Sequence, residues 1–217
     1  RARRLVLARY RLGIKPLFYA VAAERLVFGS EIKAVLAAGV PRRLDRVALH
    51  DYLSFDYVPG PRTMFEGIAK LPAAHILVQE LGAAPALTRY WSFPEQPPPD
   101  DPVHRMTTAQ LAPRLAARLE DAVRAAMVSD VPIGAFLSGG LDSSLVVALM
   151  SRIGGAAVRT FSVGFRERSY NELPYAGLVA SRYGTEHTEI TVEPHVEDVI
   201  HRLVDAFDEP FADSSAV

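Results

Sequence analysis

Ile133-Gly134-Ala135-Phe136-Leu137-Ser138-Gly139-Gly140-Leu141-Asp142-Ser143-Ser144, running on into Leu145-Val146-Val147-Ala148-Leu149-Met150, sets the fold class of this 217-residue chain. An apolar strand ends at a Gly-Gly turn, and a helix begins at once. Ligands of open α/β sheets bind outside the carboxyl ends of the strands. A helix N-terminus there presents unpaired N–H groups and a partial positive charge, which suits phosphate. Gly139 and Gly140 let the backbone approach a ligand and take conformations closed to other residues. Ser138, Ser143 and Ser144 add hydroxyl donors. Asp142 is the odd member, because a carboxylate beside phosphates is repelled unless a cation lies between them. Phosphate-rich sites recruit Mg2+ for that purpose, so the string implies Mg2+ together with a nucleotide. The alternative is that Asp142 or Ser143 merely caps the helix, worth about 1 kcal/mol. Neither G-x-x-x-x-G-K-[ST] nor G-x-G-x-x-G occurs. A nucleophile elbow, G-x-S-x-G, needs glycine where Phe136 stands, so Ser138 is not expected to be a nucleophile.

Around this string the sequence alternates. Strands are predicted at 133–138, 158–163 and 186–192, with helices at 142–152, 172–183 and 196–207. A helix from Thr107 or Thr108 to about residue 128 precedes them. Regular alternation with β-rich apolar strands predicts a parallel sheet covered by helices. Residues 94–102 read PEQPPPDDP, which holds neither helix nor strand and makes a stiff exposed linker. Before the linker the pattern is β-rich, with strands at 4–9, 17–22, 25–30, 74–80 and 86–91. Short helices are expected at 31–38 and 45–53, the second capped by Asp45. The expected domains are therefore residues 1–92, a linker at 93–106, and residues 107–217.

Composition excludes several classes of function. Formal net charge is -1, so no global field draws in nucleic acid or an anionic membrane. No apolar run approaches the roughly 18 residues that a membrane span needs, and no signal peptide is evident. Cysteine is absent, which removes disulfides, thiolate metal sites and a cysteine nucleophile. The six histidines show no zinc spacing. A cytoplasmic location is expected.

The string Ser138-Gly139-Gly140-Leu141-Asp142-Ser143 resembles the pyrophosphatase loop (PP-loop) of the N-type ATP pyrophosphatases. Ser129-Asp130-Val131-Pro132-Ile133-Gly134 before it looks like the asparagine synthetase branch. Arg11-Leu12-Gly13-Ile14-Lys15-Pro16-Leu17 and Gly29-Ser30-Glu31-Ile32-Lys33-Ala34 resemble the end of that family's glutaminase domain. Thr160-Phe161-Ser162-Val163-Gly164-Phe165 is similar to its second nucleotide-contacting strand. Asp208-Glu209-Pro210-Phe211-Ala212-Asp213-Ser214-Ser215 resembles a segment lining its active site.

The fold that this resemblance implies is α/β: a parallel-sheet ATP-pyrophosphatase domain, preceded by the C-terminal part of a β-rich, N-terminal-nucleophile (Ntn) glutaminase domain. The activity it implies is a two-step amide synthesis. ATP adenylates a carboxylate, typically aspartate, and pyrophosphate leaves with Mg2+; ammonia from glutamine then attacks the acyl-adenylate. Ser138, Gly139, Gly140, Asp142 and Ser143 would hold the pyrophosphate and metal. Leu137 and Val163 would contact adenosine through backbone groups while serving as core strand residues. Asp208 is a candidate second metal ligand, or else a capping aspartate near a helix end. The partners implied are small molecules, with room for a homodimer of the full-length protein.

Two departures accompany the resemblance. The family's glutaminase starts with a nucleophilic cysteine, and its Arg-Asp-x-Leu-Gly motif uses the Asp to hold the glutamine amino group. Here Tyr10 takes that position, and tyrosine offers no carboxylate to an ammonium. The family's later nucleotide loop and acid–base pair are expected after Val217, so the chain is expected to be a fragment without catalytic residues of its own. An alternative is an adenylating ligase whose glutaminase domain is inactive, similar to the β-lactam synthetases or to a polysaccharide-modifying amidotransferase.

Overall fold

A computed structural model describes residues 4–22, 25–93, 96–155, 157–165, 171–192 and 196–212. The chain forms two compact units, Arg1–Glu95 together with His195–Val217, and Gln96–Pro194. No helix among the described residues is long and apolar enough to cross a membrane.

The first unit is built from two antiparallel sheets of three strands. One has the order β1 (Arg4–Ala8), β5 (His75–Glu80), β6 (Ala86–Arg89). The other has the order β3 (Arg25–Gly29), β2 (Phe18–Ala22), β4 (Ile68–Lys70). Leu7 sits opposite Leu77 in the first sheet. These two pack with Leu71, Leu17, Tyr19 and Leu26, so side chains of both sheets share one core. On the other face of β2, Ala20 packs with Ile32 and Val35 of α1 (Ile32–Ala37). Helix α2 (Arg46–Phe55) starts where sequence places its cap, with the Asp45 carboxylate accepting the N–H groups of Val47 at 2.9 Å and Ala48 at 3.0 Å.

The second unit begins with α3 (Thr108–Ala126), whose entry is fixed by the Gln110 side chain accepting the Thr107 N–H at 2.9 Å. Then come β7 (Gly134–Phe136), α4 (Leu141–Gly154), β8 (Arg159–Phe165), α5 (Leu173–Tyr183) and β9 (Glu186–Val192). The three strands are parallel in the order β7-β8-β9. Helices α3 and α4 enclose one apolar cluster around Val123, Leu149 and Met150. Helices α4 and α5 enclose another around Leu137, Val147 and Ala176. Ala135 of β7 packs against both clusters, so all three helices cover one face of the sheet. The opposite face is open among the described residues, with Phe136 81% and Ile190 49% exposed. The expected cover of helices is thus present on one side. Inside the predicted linker, Pro102–Arg105 forms a 3-10 turn, started by the Asp101 carboxylate accepting the Val103 N–H at 2.8 Å.

Helix α6 (Val196–Phe207) follows β9 in sequence but groups with the first unit. The reason is ionic as well as apolar. Asp208 accepts the Lys33 backbone N–H at 3.0 Å and pairs with the Lys33 ammonium at 3.5 Å. Glu209 accepts the Met64 N–H at 3.1 Å and pairs with the Lys70 ammonium. Both carboxylate side chains are largely buried, Asp208 at 10% and Glu209 at 14% exposure. Each therefore has one backbone donor and one cation, the arrangement a desolvated carboxylate requires. Residues 213–215 of the segment that resembles an active-site lining lie outside the described residues.

Removing one partner of a largely buried pair leaves the other charge uncompensated, so Glu209→Ala is expected to cost about 3 kcal/mol by urea denaturation. In a Lys70→Met background the same substitution should cost less than half as much. Equal losses in the two backgrounds would show that Lys70 and Glu209 are not coupled.

Candidate functional site

Strand β7 runs into the turn through Leu137, which is 1% exposed. Its N–H donates to Phe161 O at 2.8 Å, and its carbonyl accepts the Ser162 hydroxyl. From Ser138 the chain leaves the sheet. Gly139 has φ +79°, and a Cβ there would lie 2.5 Å from the Ala176 nitrogen and 2.6 Å from the Tyr175 carbonyl carbon. Only glycine allows both the conformation and the contact.

Two serines then close the loop on itself. Their hydroxyls, Ser138 Oγ and Ser143 Oγ, are 2.9 Å apart. Ser138 Oγ accepts the Gly140 N–H at 3.3 Å. Ser143 Oγ accepts the Ser138 N–H and donates to Gly140 O, each at 3.3 Å. Gly140 is the N-cap of α4, and no side chain caps the helix. The first N–H groups of a helix have no intrahelical acceptor. Among the described residues, those of Leu141, Asp142 and Ser143 have no other protein acceptor. The loop thus presents a row of free donors at the positive end of α4, the arrangement that attracts phosphate.

Asp142 lies in the first turn of α4, exposed, with no hydrogen-bond or ion-pair partner among the described residues. It is not the cap, and Ser143 is tied to Ser138 and Gly140 instead. The capping alternative read from sequence therefore does not describe this helix. An exposed carboxylate beside an uncapped helix N-terminus is a hard oxygen donor suited to Mg2+. Among the described residues no group of three or more His, Asp or Glu side chains forms a ready metal cage.

The remaining sequence candidates fall elsewhere. Val163 of β8 is 43% exposed, on the side of the strand opposite to buried Thr160 and Ser162. Both backbone polar groups of Leu137 are engaged with β8. Asp208 belongs to the first unit, whereas Asp142 belongs to the second, and the Asp208 carboxylate is engaged by Lys33. Tyr10 follows β1, and its hydroxyl accepts the Lys15 N–H at 3.2 Å. Its carbonyl accepts the N–H groups of Gly13 at 3.1 Å and Ala74 at 3.0 Å, so the residue organises the turn. Beside it, the Arg9 guanidinium donates to the carbonyls of Lys15, Leu71 and Gly13. Burial draws its pKa below the ordinary arginine value, while Tyr10 acts in the opposite sense. Sequence reading missed Ser162, Lys33 and Lys70. Only Ser162 carried a signal, a small polar residue at a buried position of an alternating strand.

Two family models match the chain in succession along its sequence. Residues 1–91 match the glutamine amidotransferase domain family, and residues 114–217 match the asparagine synthase family. A protein of Methanocaldococcus jannaschii, provisionally named asparagine synthetase (glutamine-hydrolysing) 2, is 34% identical over 96% of this chain and 40% of its own length. Asparagine synthetase (glutamine-hydrolysing) 1 of Bacillus subtilis is 32% identical over 97% of this chain and 32% of its own length. The amidase chry2 of Gibberella zeae is 31% identical over 69% of this chain and 22% of its own length. The chain spans two fifths or less of the length of these relatives. With an amidotransferase match followed by a synthase match, and asparagine synthetases 32–34% identical along nearly its whole length, the chain belongs to the asparagine synthetase family.

Proposed function

We propose that this chain carries the nucleotide-binding loop of an ATP-dependent amide-forming ligase, on a PP-loop pyrophosphatase fold preceded by part of an Ntn-type glutaminase. The observation that supports this reading is the N-terminus of α4, which has no side-chain cap and meets the Ser138–Ser143 turn, with Asp142 lacking a partner among the described residues. In the proposed reaction an oxygen of the acceptor carboxylate, aspartate in the first instance, attacks the α-phosphorus of ATP. The bond to the β-phosphate breaks and pyrophosphate departs. Ammonia released from glutamine then attacks the acyl carbon, and AMP leaves with the carboxylate oxygen that linked them.

Within that sequence the chain's own part is to hold the leaving pyrophosphate. Backbone N–H groups of Gly140, Leu141, Asp142 and Ser143 and the Ser138 and Ser143 hydroxyls lie on the loop that would surround it. Mg2+, when bound at Asp142, would neutralise charge on the departing phosphates. Val163, partly exposed on β8, would contact adenosine in this reading, and Leu137 anchors the strand end. Asp208, docked on Lys33, acts in this reading as a structural carboxylate.

A second reading follows from Tyr10. With a phenol bonded to Lys15 N–H in place of a carboxylate, the amidotransferase half has no anion at that position for the glutamine ammonium. The same adenylating chemistry would then serve a ligase that takes ammonia or an internal amine.

In the complete native protein, Asp142→Asn is expected to lower Mg2+-dependent exchange of labelled pyrophosphate into ATP by on the order of a hundredfold or more. Melting temperature should stay unchanged, because the side chain bonds to no described residue; exchange at the wild-type rate would remove Asp142 from the site. Tyr10→Asp is expected to lower the KM for glutamine roughly tenfold to a hundredfold, the equivalent of a charge-assisted hydrogen bond of about 1.5–3 kcal/mol. Ammonia-dependent synthesis should not change. A glutamine KM that stays put favours the second reading.

A further inference from the structure

We infer that Ser162 is a positioning residue for the phosphate loop, an inference that deepens the nucleotide-binding reading and rests on it for its functional consequence. The last registered pair between β7 and β8 is Phe136 with Phe161. One residue later the chain turns away, and the Leu137 carbonyl, in a residue 1% exposed, has left the ladder. A buried carbonyl in that place needs a donor. The Ser162 hydroxyl, on a residue 4% exposed, supplies it. Together with the Leu137 N–H on Phe161 O at 2.8 Å, both backbone groups of Leu137 are pinned to β8.

The loop has little freedom beyond that pin. Ser138 begins the serine network, and Gly139 lies against the backbone of Tyr175 and Ala176 in α5. Leu137 is the point where sheet and loop join, so its carbonyl sets the direction in which the Ser138–Ser143 donors face. Thr160 and Ser162 are the buried polar residues of β8. Thr160 engages Thr185 at 2.8 Å and His187 at 2.9 Å, on the side of β9. Ser162 alone of the two reaches β7. Its described side-chain bond is to the Leu137 carbonyl, so its role is exercised through Leu137.

The test is hydrogen–deuterium exchange on the complete native protein, read for 138–144 and for α3 and β9 separately, with MgATP affinity measured alongside. Ser162→Ala is expected to speed exchange in 138–144 roughly tenfold, with α3 and β9 unchanged, and to weaken MgATP binding by a similar factor. Ser162→Thr, which keeps the hydroxyl, should return both readouts toward wild type. Unchanged loop exchange in Ser162→Ala overturns the inference, as does an increase spread evenly over α3 and β9, which marks ordinary loss of stability. A Thr variant that melts like wild type but exchanges like Ala also overturns it. If the loop loosens in Ser162→Ala while wild type fails to bind MgATP, the positioning role stands and the nucleotide reading falls.

Discussion

A Cβ on residue 139 would meet the backbone of α5 at 2.5–2.6 Å, and the residue's φ of +79° is one that L side chains rarely adopt. That close approach is the constraint on which the candidate site depends. It lets β7 turn sharply enough for α4 to start five residues after the last ladder pair, with its first donors lacking an acceptor among the described residues. A longer or bulkier turn would carry the N-terminus of α4 away from the strand end and break the Ser138–Ser143 bonds. The local order of the loop thus follows from packing between three elements, with hydrogen bonds added on top.

The carboxylates of the chain divide by environment. Asp142 is solvent-exposed, without a described partner, beside a helix N-terminus, where a negative charge is favoured and remains available to a cation. Asp208 and Glu209 are desolvated, and each is matched by a lysine ammonium and a backbone N–H. The first environment suits transient binding of a metal and phosphate; the second suits permanent docking of the segment after α6. Residue type alone does not separate these roles, because what differs is the company each carboxylate keeps.

That difference explains what could be read from the sequence. The alternation of strands and helices after the linker, the Asp45 cap and the Gly-Gly loop are local patterns, and the structure contains all three. Strand β4 has three residues, too few for a period to register, and exists because Ile68 and Lys70 pair with β2. The attachment of α6 to the first unit depends on Lys33 and Lys70, each more than 130 residues away in sequence from its carboxylate partner. No local pattern announces such a pair. The open face of the parallel sheet was hidden for a similar reason: alternation predicts helices but not which face each one covers.

The central claim is that the backbone donors of the Ser138–Ser143 turn receive phosphate. Amide chemical shifts of the 15N-labelled chain, followed as Mg2+–pyrophosphate is added, test it most directly. The account predicts that the largest changes fall on Gly140, Leu141, Asp142 and Ser143, and that they diminish when Mg2+ is withheld. Saturable binding with its largest changes elsewhere and these four amides still would contradict it.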